Sequence, residues 1–255
     1  MKTKRLAVIL IAIAFSFVVL FSCVGLFSLK KVQVSFSVGE NTDTSSVQAE
    51  LEKFLGKNLL FLDTLDVVES IKGFHYMEVV SIKKDYPNVL MVNIKERREV
   101  YEILYGETVY VTTETGFVLN SFSNSEDQAY SRDKITLTFD GVTITDGALG
   151  KVLTTDGDDL VGMVFQMASS VNLTDCIKSI TLKKATEVAT AEFYTYTGVK
   201  IIVREILDDG VKKIETAFSK YDEGASDYEK TFKTIEVVKI TETGEIQAQW
   251  SDYQG

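Results

Sequence analysis

Residues 6–29, LAVILIAIAFSFVVLFSCVGLFSL, contain no charged side chain. As a helix this run would be about 36 Å long at ~1.5 Å per residue, enough to cross a hydrocarbon layer ~30 Å thick. Lys2, Lys4 and Arg5 precede it. That basic tail predicts a cytoplasmic segment over 1–5, a transmembrane helix over 6–29 and an extracytoplasmic remainder. The apolar run is longer than the core of about 7–15 residues in a cleaved signal peptide. A second reading is a surface lipoprotein with a ligand-binding outer domain, because Leu20–Cys23, LFSC, has the form of a lipid-attachment box with Cys23 acylated. The bulk of Phe21 and the apolar sequence beyond Cys23 favour the uncleaved span.

Three of the 27 basic residues and none of the 37 acidic residues precede residue 30, so residues 30–255 carry 24 basic and 37 acidic side chains, a net −13. Such a balance argues against nucleic acid as a partner. The two cysteines, Cys23 and Cys176, are too far apart in role and position to define a disulfide framework.

Beyond the apolar run, VQVSFSV (32–38) alternates apolar and polar residues as a half-buried strand does. SSVQAELEKFLG follows, with a capping-box pattern at Ser45 and Gln48, an apolar face of Val47, Leu51, Phe54 and Leu55, and a stop at Gly56. A second helix is expected from a cap at Asp63, with Leu65, Val68 and Ile71 inward, ending at Gly73. Residues 77–86 and 89–97 read as strands, with Val80 and Ile82 on one inward face and Leu90, Val92 and Ile94 on the other. They are joined at Tyr86-Pro87-Asn88, which holds the chain's single proline. Proline suits that turn because it fixes φ near −65° and its missing N–H costs no ladder bond there. Two amphipathic helices on one face of a three-stranded sheet make a two-layer βααββ unit.

The stretches GKNLLFLD (56–63), IKGFHYMEV (71–79) and IKKDYPNVLMVNIKER (82–97) resemble the POTRA domain of the FtsQ/DivIB cell-division proteins. The most specific part is the spacing from Tyr86-Pro87 to Glu96-Arg97. Glu99 stands where the family has proline after Glu-Arg-x, and Phe74 stands near the family's usual proline before the second strand. The resemblance implies an order of cytoplasmic tail 1–5, transmembrane helix 6–29, POTRA domain 32–98, β domain 99–250 and C-terminal tail 251–255. It further implies a non-enzymatic divisome scaffold in the cell membrane at the septum, linking septal peptidoglycan synthesis to the division ring. Glu96 and Arg97 have two readings: a solvated ion pair worth ~0–1 kcal/mol, or an interdomain hinge that sets the angle of the next domain.

The outer region reads as an α+β domain on a largely antiparallel sheet. Strands are expected across 100–122, over ITLTFD (135–140), and in IKSITLKK, ATAEFYTYT and VKIIVRE. Helices are expected at 158–171, with Leu160, Val164, Met167 and Val171 inward, and after Asp208-Asp209-Gly210, with Val211, Ile214, Phe218 and Tyr221 inward. FKTIEVVKI and EIQAQW close the domain as a hairpin at Thr243-Gly244. A chain-terminal strand often forms a sheet edge able to accept another strand. In the resembled family the C-terminal strands bind a short segment of an FtsB/DivIC-like partner, with an FtsL-like protein also in the assembly. That places partner binding at Ile246, Gln247, Ala248, Gln249 and Trp250, within Thr241–Tyr253.

No catalytic, cofactor or metal motif emerges. The single histidine, His75, has no companion nucleophile by spacing and reads as a turn or core-edge residue. Asp156, Asp158 and Asp159 lack the calcium-loop pattern and read as negative charge at a helix N-terminus.

Overall fold

The computed structural model describes residues 13, 15–16, 25–37, 39, 44–123, 134–156, 159–171, 176–185, 188–223, 233–240 and 243–252. The expected cytoplasmic tail, most of the apolar run and Cys23 lie outside them, as does the C-terminal tail beyond Asp252. Among the described residues no helix is long and apolar enough to cross a membrane. The chain divides into two compact units, Met1–Arg97 and Arg98–Gly255.

The first unit runs β1 (Lys31–Ser37), α1 (Ser45–Glu52), α2 (Thr64–Ile71), β2 (Met77–Asp85) and β3 (Val89–Glu96). Its sheet has the order β1-β3-β2, with β1 parallel and β2 antiparallel to the central β3. Leu90, Val92 and Ile94 alternate inward from β3 and are buried against Val47 and Leu51 of α1 and Val67 and Ile71 of α2. Each such side chain taken fully out of water contributes about 1.5–3 kcal/mol. Tyr86-Pro87 is a cis peptide at the β2–β3 turn.

Four local expectations are corrected here. The Ser45/Gln48 capping box does not form: Thr44 occupies the cap without a side-chain capping bond, and the Gln48 amide instead donates to Glu52 at 3.0 Å. In α2, Val67 is the buried residue and Leu65 is 67% exposed. The Asp63 carboxylate accepts the Leu65 N–H at 2.9 Å, which starts the helix one turn earlier than its apolar stripe reaches the core. Leu55 is exposed, since it follows the last turn of α1. In β2 the register shifts between Val79 and Ser81. This irregularity leaves Val80 59% exposed while Val79 and Ile82 meet the core.

The second unit contains β4 (Tyr101–Tyr105), β5 (Thr108–Thr112), β6 (Val118–Ser123), β7 (Ile135–Asp140), β8 (Ile144–Asp146), β9 (Thr154–Thr155), α3 (Leu160–Ser170), β10 (Ile177–Ala185), β11 (Val188–Thr195), β12 (Lys200–Arg204), α4 (Gly210–Glu223), β13 (Lys233–Lys239) and β14 (Ile246–Asp252). A nine-stranded sheet has the order β14-β13-β12-β11-β10-β7-β4-β5-β6, and β8 and β9 form a separate ribbon. The sheet is mixed rather than simply antiparallel. Its five hairpin-type contacts are antiparallel, and β7–β10, β12–β13 and β4–β7 are parallel. Parallel neighbours need a crossover, and α3 and α4 supply two of them.

Both helices contribute to the core on one sheet face, where α3 offers Leu160, Val161, Val164 and Met167 and α4 offers Ile214, Ala217, Phe218 and Tyr221. Asp159 caps α3 by accepting the Gly162 N–H at 2.9 Å, the helix-terminus role expected of it; Asp156 instead accepts the Thr143 N–H at 2.8 Å, and Asp158 lies outside the described residues. On the alternate positions of the strands, Glu192 of β11 accepts from Lys183 and Tyr194 at 3.0 Å and pairs with Lys200 at 3.1 Å.

Candidate functional site

The β13–β14 hairpin turns through Gly244, whose φ of +70° lies in the left-handed region that glycine tolerates. The turn is closed by Ile240 N–H donating to Glu245 C=O at 2.8 Å and Gly244 N–H donating to Ile240 C=O at 2.7 Å. The strands then run in register from Lys239↔Ile246 to Lys233↔Asp252. In an antiparallel ladder, residues alternate between bonding the neighbour strand and turning their N–H and C=O the other way. The phase set at Ile240 therefore bonds Gln247, Gln249 and Ser251 to β13. It directs the main chain of Ile246, Ala248 and Trp250 to the outer side, where β14 has no strand neighbour among the described residues. The side chains of those same three residues reach back against the core.

Beside this rim lies a shallow groove of about 250 Å³, lined by Ile246, Gln247, Ala248 and Gln249 from β14 and by Thr216, Ser219, Lys220 and Glu223 from α4. The five residues singled out from sequence thus lie consecutively on one edge strand, four of them on the groove. The α4 residues were not foreseen. Their spacing at i, i+3, i+4 and i+7 on the solvent face of the last helix before the terminal hairpin is the signal that could have found them.

Glu96 and Arg97 stand at the end of the first unit. The Arg97 N–H donates to Tyr76 C=O at 2.7 Å, and its guanidinium donates to the carbonyls of His75, at 3.1 Å, and of Met77. Arg97 Nε is 3.7 Å from Glu78, and Glu96 accepts the Gly39 N–H at 2.8 Å. Both residues therefore bind main chain of their own unit: Arg97 fastens the end of β3 to the entry of β2, and Glu96 fastens it to Gly39 just past β1. His75 sits in that entry, half-buried, between α2 and β2.

A larger depression of about 630 Å³ in the second unit is lined in part by Glu114, Val152, Asp159, Phe165, Gln166 and Ser169. Asp159 there is committed to the α3 cap, and the chain's one histidine belongs to the other unit. Among the described residues, no three His, Cys, Asp or Glu side chains are grouped to hold a metal ion.

The βααββ unit with central β3 has the architecture of a POTRA domain, and it is followed by a larger sheet whose last strand has no outer neighbour among the described residues. Residues 27–97 match the family model described as the POTRA domain, FtsQ-type. Two relatives are similar to more than half of the chain. One is a Cell division protein DivIB of Clostridium acetobutylicum, 25% identical over 149 residues covering 58% of this chain and 56% of the relative. The other is a Cell division protein DivIB of Clostridium tetani, 24% identical over 162 residues covering 64% of this chain and 58% of the relative. The chain spans less than three fifths of the length of these relatives. The chain thus carries an FtsQ-type POTRA domain over residues 27–97 and is similar, over 58–64% of its length, to these two DivIB proteins.

Proposed function

We propose that this chain is a cell-division protein that acts by binding rather than by catalysis, holding companion division proteins on the outer side of the cytoplasmic membrane. The FtsQ-type POTRA unit and the relatives named Cell division protein DivIB support the division role. The observation that carries the mechanism is the outer rim of β14, with the main chain of Ile246, Ala248 and Trp250 turned away from β13. A short extended segment of an FtsB/DivIC-like partner, with an FtsL-like protein in the same assembly, would add as a further strand. Main-chain hydrogen bonds would supply affinity and the α4 groove would select side chains. Residues 6–29 serve as the single span, with the N-terminus cytoplasmic and both compact units outside, at the septum. Glu96 and Arg97 act as the interdomain hinge clamp, a reading supported by their bonds to main chain at the end of the first unit.

Ala248→Pro tests the mechanism. Proline at 248 deletes an outward N–H and leaves the ladder to β13 intact, the one arrangement in which an edge strand accepts proline. A partner segment captured by the wild-type chain should be lost by more than about tenfold, the effect of ~1.4 kcal/mol, while the unit still melts cooperatively. Undiminished capture by a folded Ala248→Pro chain would exclude strand addition at β14.

A further inference from the structure

The connection between α1 and α2 exposes a run of large apolar side chains that the fold leaves uncovered. Phe61 is 83% exposed and Leu65 67%, and Leu55 and Leu60 are exposed beside them. The backbone here is firmly held. Asn58 accepts the Phe61 N–H at 3.2 Å and the Leu62 N–H at 3.0 Å through its carbonyl, and the Leu60 N–H at 3.0 Å through its side chain. Leu59 and Leu62 on either side are buried. Patches of this kind on a soluble surface mark a contact.

The chain's own path shows what lies against it. Residues 27–29 end the charge-free run and are stitched to this connection. Leu59 N–H donates to Phe27 C=O at 2.7 Å, Leu29 N–H to Lys57 C=O at 2.8 Å, and Gly56 N–H to Leu29 C=O at 2.8 Å. Phe61 is therefore within about 7 Å of chain from a residue bonded to the end of that run. The β2–β3 turn meets the same place. The Asn88 carbonyl accepts the Lys30 N–H at 2.9 Å, and the exposed ring of Tyr86 meets Phe27 edge-on with centroids 6.0 Å apart. Lys30, Lys31 and Lys57 are exposed around it. Aromatic rings with lysines at the mouth of a span are the composition of a membrane–water interface, and clustered lysines attract anionic headgroups.

We infer that the α1–α2 connection, led by Phe61 with Leu60 and Leu65, inserts into the interfacial zone of the bilayer, so that the POTRA unit lies against the membrane instead of hanging from a free tether. The inference rests on residues 6–29 being the span. A protein partner is the other possible occupant, but it would have to share the few ångströms next to the point where the chain enters the lipid.

The test uses the full chain in vesicles of phosphatidylcholine and phosphatidylglycerol whose acyl chains are brominated near the carboxyl end. Trp250→Phe removes the single tryptophan, and Phe61→Trp or Val80→Trp supplies a new one; Phe61 and Val80 are both exposed, so neither change disturbs the core. The Phe61→Trp indole should emit at shorter wavelength and lose more than about half its intensity to the brominated lipid, while the Val80→Trp indole should lose less than about a tenth. The unsubstituted chain gives an independent reading, because nitroxide lipids should broaden the Leu60 and Leu65 methyl resonances ahead of those of Leu90. Retention of the chain in alkaline-washed vesicles reports the span separately. A retained chain whose Phe61→Trp indole is as exposed as that at Val80, or is covered only after another protein is added, overturns the docking alone. A chain washed from the vesicles overturns the span and the docking with it.

Discussion

Lys213 is the charged residue most deeply committed in the second unit, and its replacement by methionine is a stringent test of how α4 is held. The side chain is 1% exposed. Its ammonium donates to the Arg204 and Glu205 carbonyls at 3.0 and 3.1 Å, with Asp208 at 3.9 Å. These carbonyls belong to the turn between β12 and α4, where Glu205 and Asp209 adopt φ of +52° and +54°. Two hydrogen bonds from a charged donor are worth about 1.5–3 kcal/mol each, and relief of a buried ammonium works in the opposite direction. Because methionine leaves two carbonyls without their donor at a strained turn, the net loss for Lys213→Met should be about 2–4 kcal/mol. At about 3 °C per kcal/mol for a unit of this size, the midpoint should fall by roughly 6–12 °C. Trp250, on the terminal strand of the same unit, reports the transition by fluorescence. Burial holds the Lys213 pKa below its ordinary 10.5 despite Asp208 and Glu205. The unfolded chain therefore binds more protons between the folded value and 10.5. The wild type should gain stability over the methionine variant as pH rises through that window. A neutral or stabilising substitution, or a gap that narrows as pH rises, would refute the reasoning.

Gly116→Ala should destabilise the second unit by about 1–3 kcal/mol, because φ is +79° there and a Cβ would stand 2.3 Å from the Phe165 ring; equilibrium denaturation checks it, and an unchanged midpoint would contradict it. For Glu192, burial alone would raise the pKa, but bonds from Lys183, Lys200 and Tyr194 outweigh it and leave the carboxyl below its ordinary 4.5. Its stabilisation over Glu192→Gln should be present above pH 4.5 and shrink as pH falls through the lower folded value, read from denaturation midpoints on either side. Arg97→Ala should cost the POTRA unit about 1–3 kcal/mol through the orphaned carbonyls of His75 and Met77, visible as faster amide exchange at Arg97 and along β2.

The βααββ order was legible because its signals are local: period-two alternation in β3, an Asp cap on α2 and turn residues between strands. Exchange of Leu65 for Val67, and of Val80 for Val79, was not. The second follows from a ladder irregularity against β3, and the first from which residues of α2 meet the β3 core, a contact distant in sequence that the local cap at Asp63 does not reveal. In the second unit the helices and hairpins could be read, but the three parallel pairings could not, since strand order depends on which crossovers fold back across the sheet. Lys213 was invisible for a related reason: a lysine at that position reads as solvated until the β12–α4 turn places two carbonyls above it. The hairpin that contains β14 could be read from its turn residues, but that β14 has no outer strand neighbour among the described residues came from the sheet order. The groove beside it required knowing that α4 lies over β14.

Residue-resolved amide exchange along β14, with and without the partner segment, tests the central claim most directly. Strand addition predicts that Ile246, Ala248 and Trp250 slow by at least about tenfold on binding, while Gln247, Gln249 and Ser251, already bonded to β13, change little. Uniform protection of all six amides, or protection confined to another element while β14 is unchanged, would contradict the account.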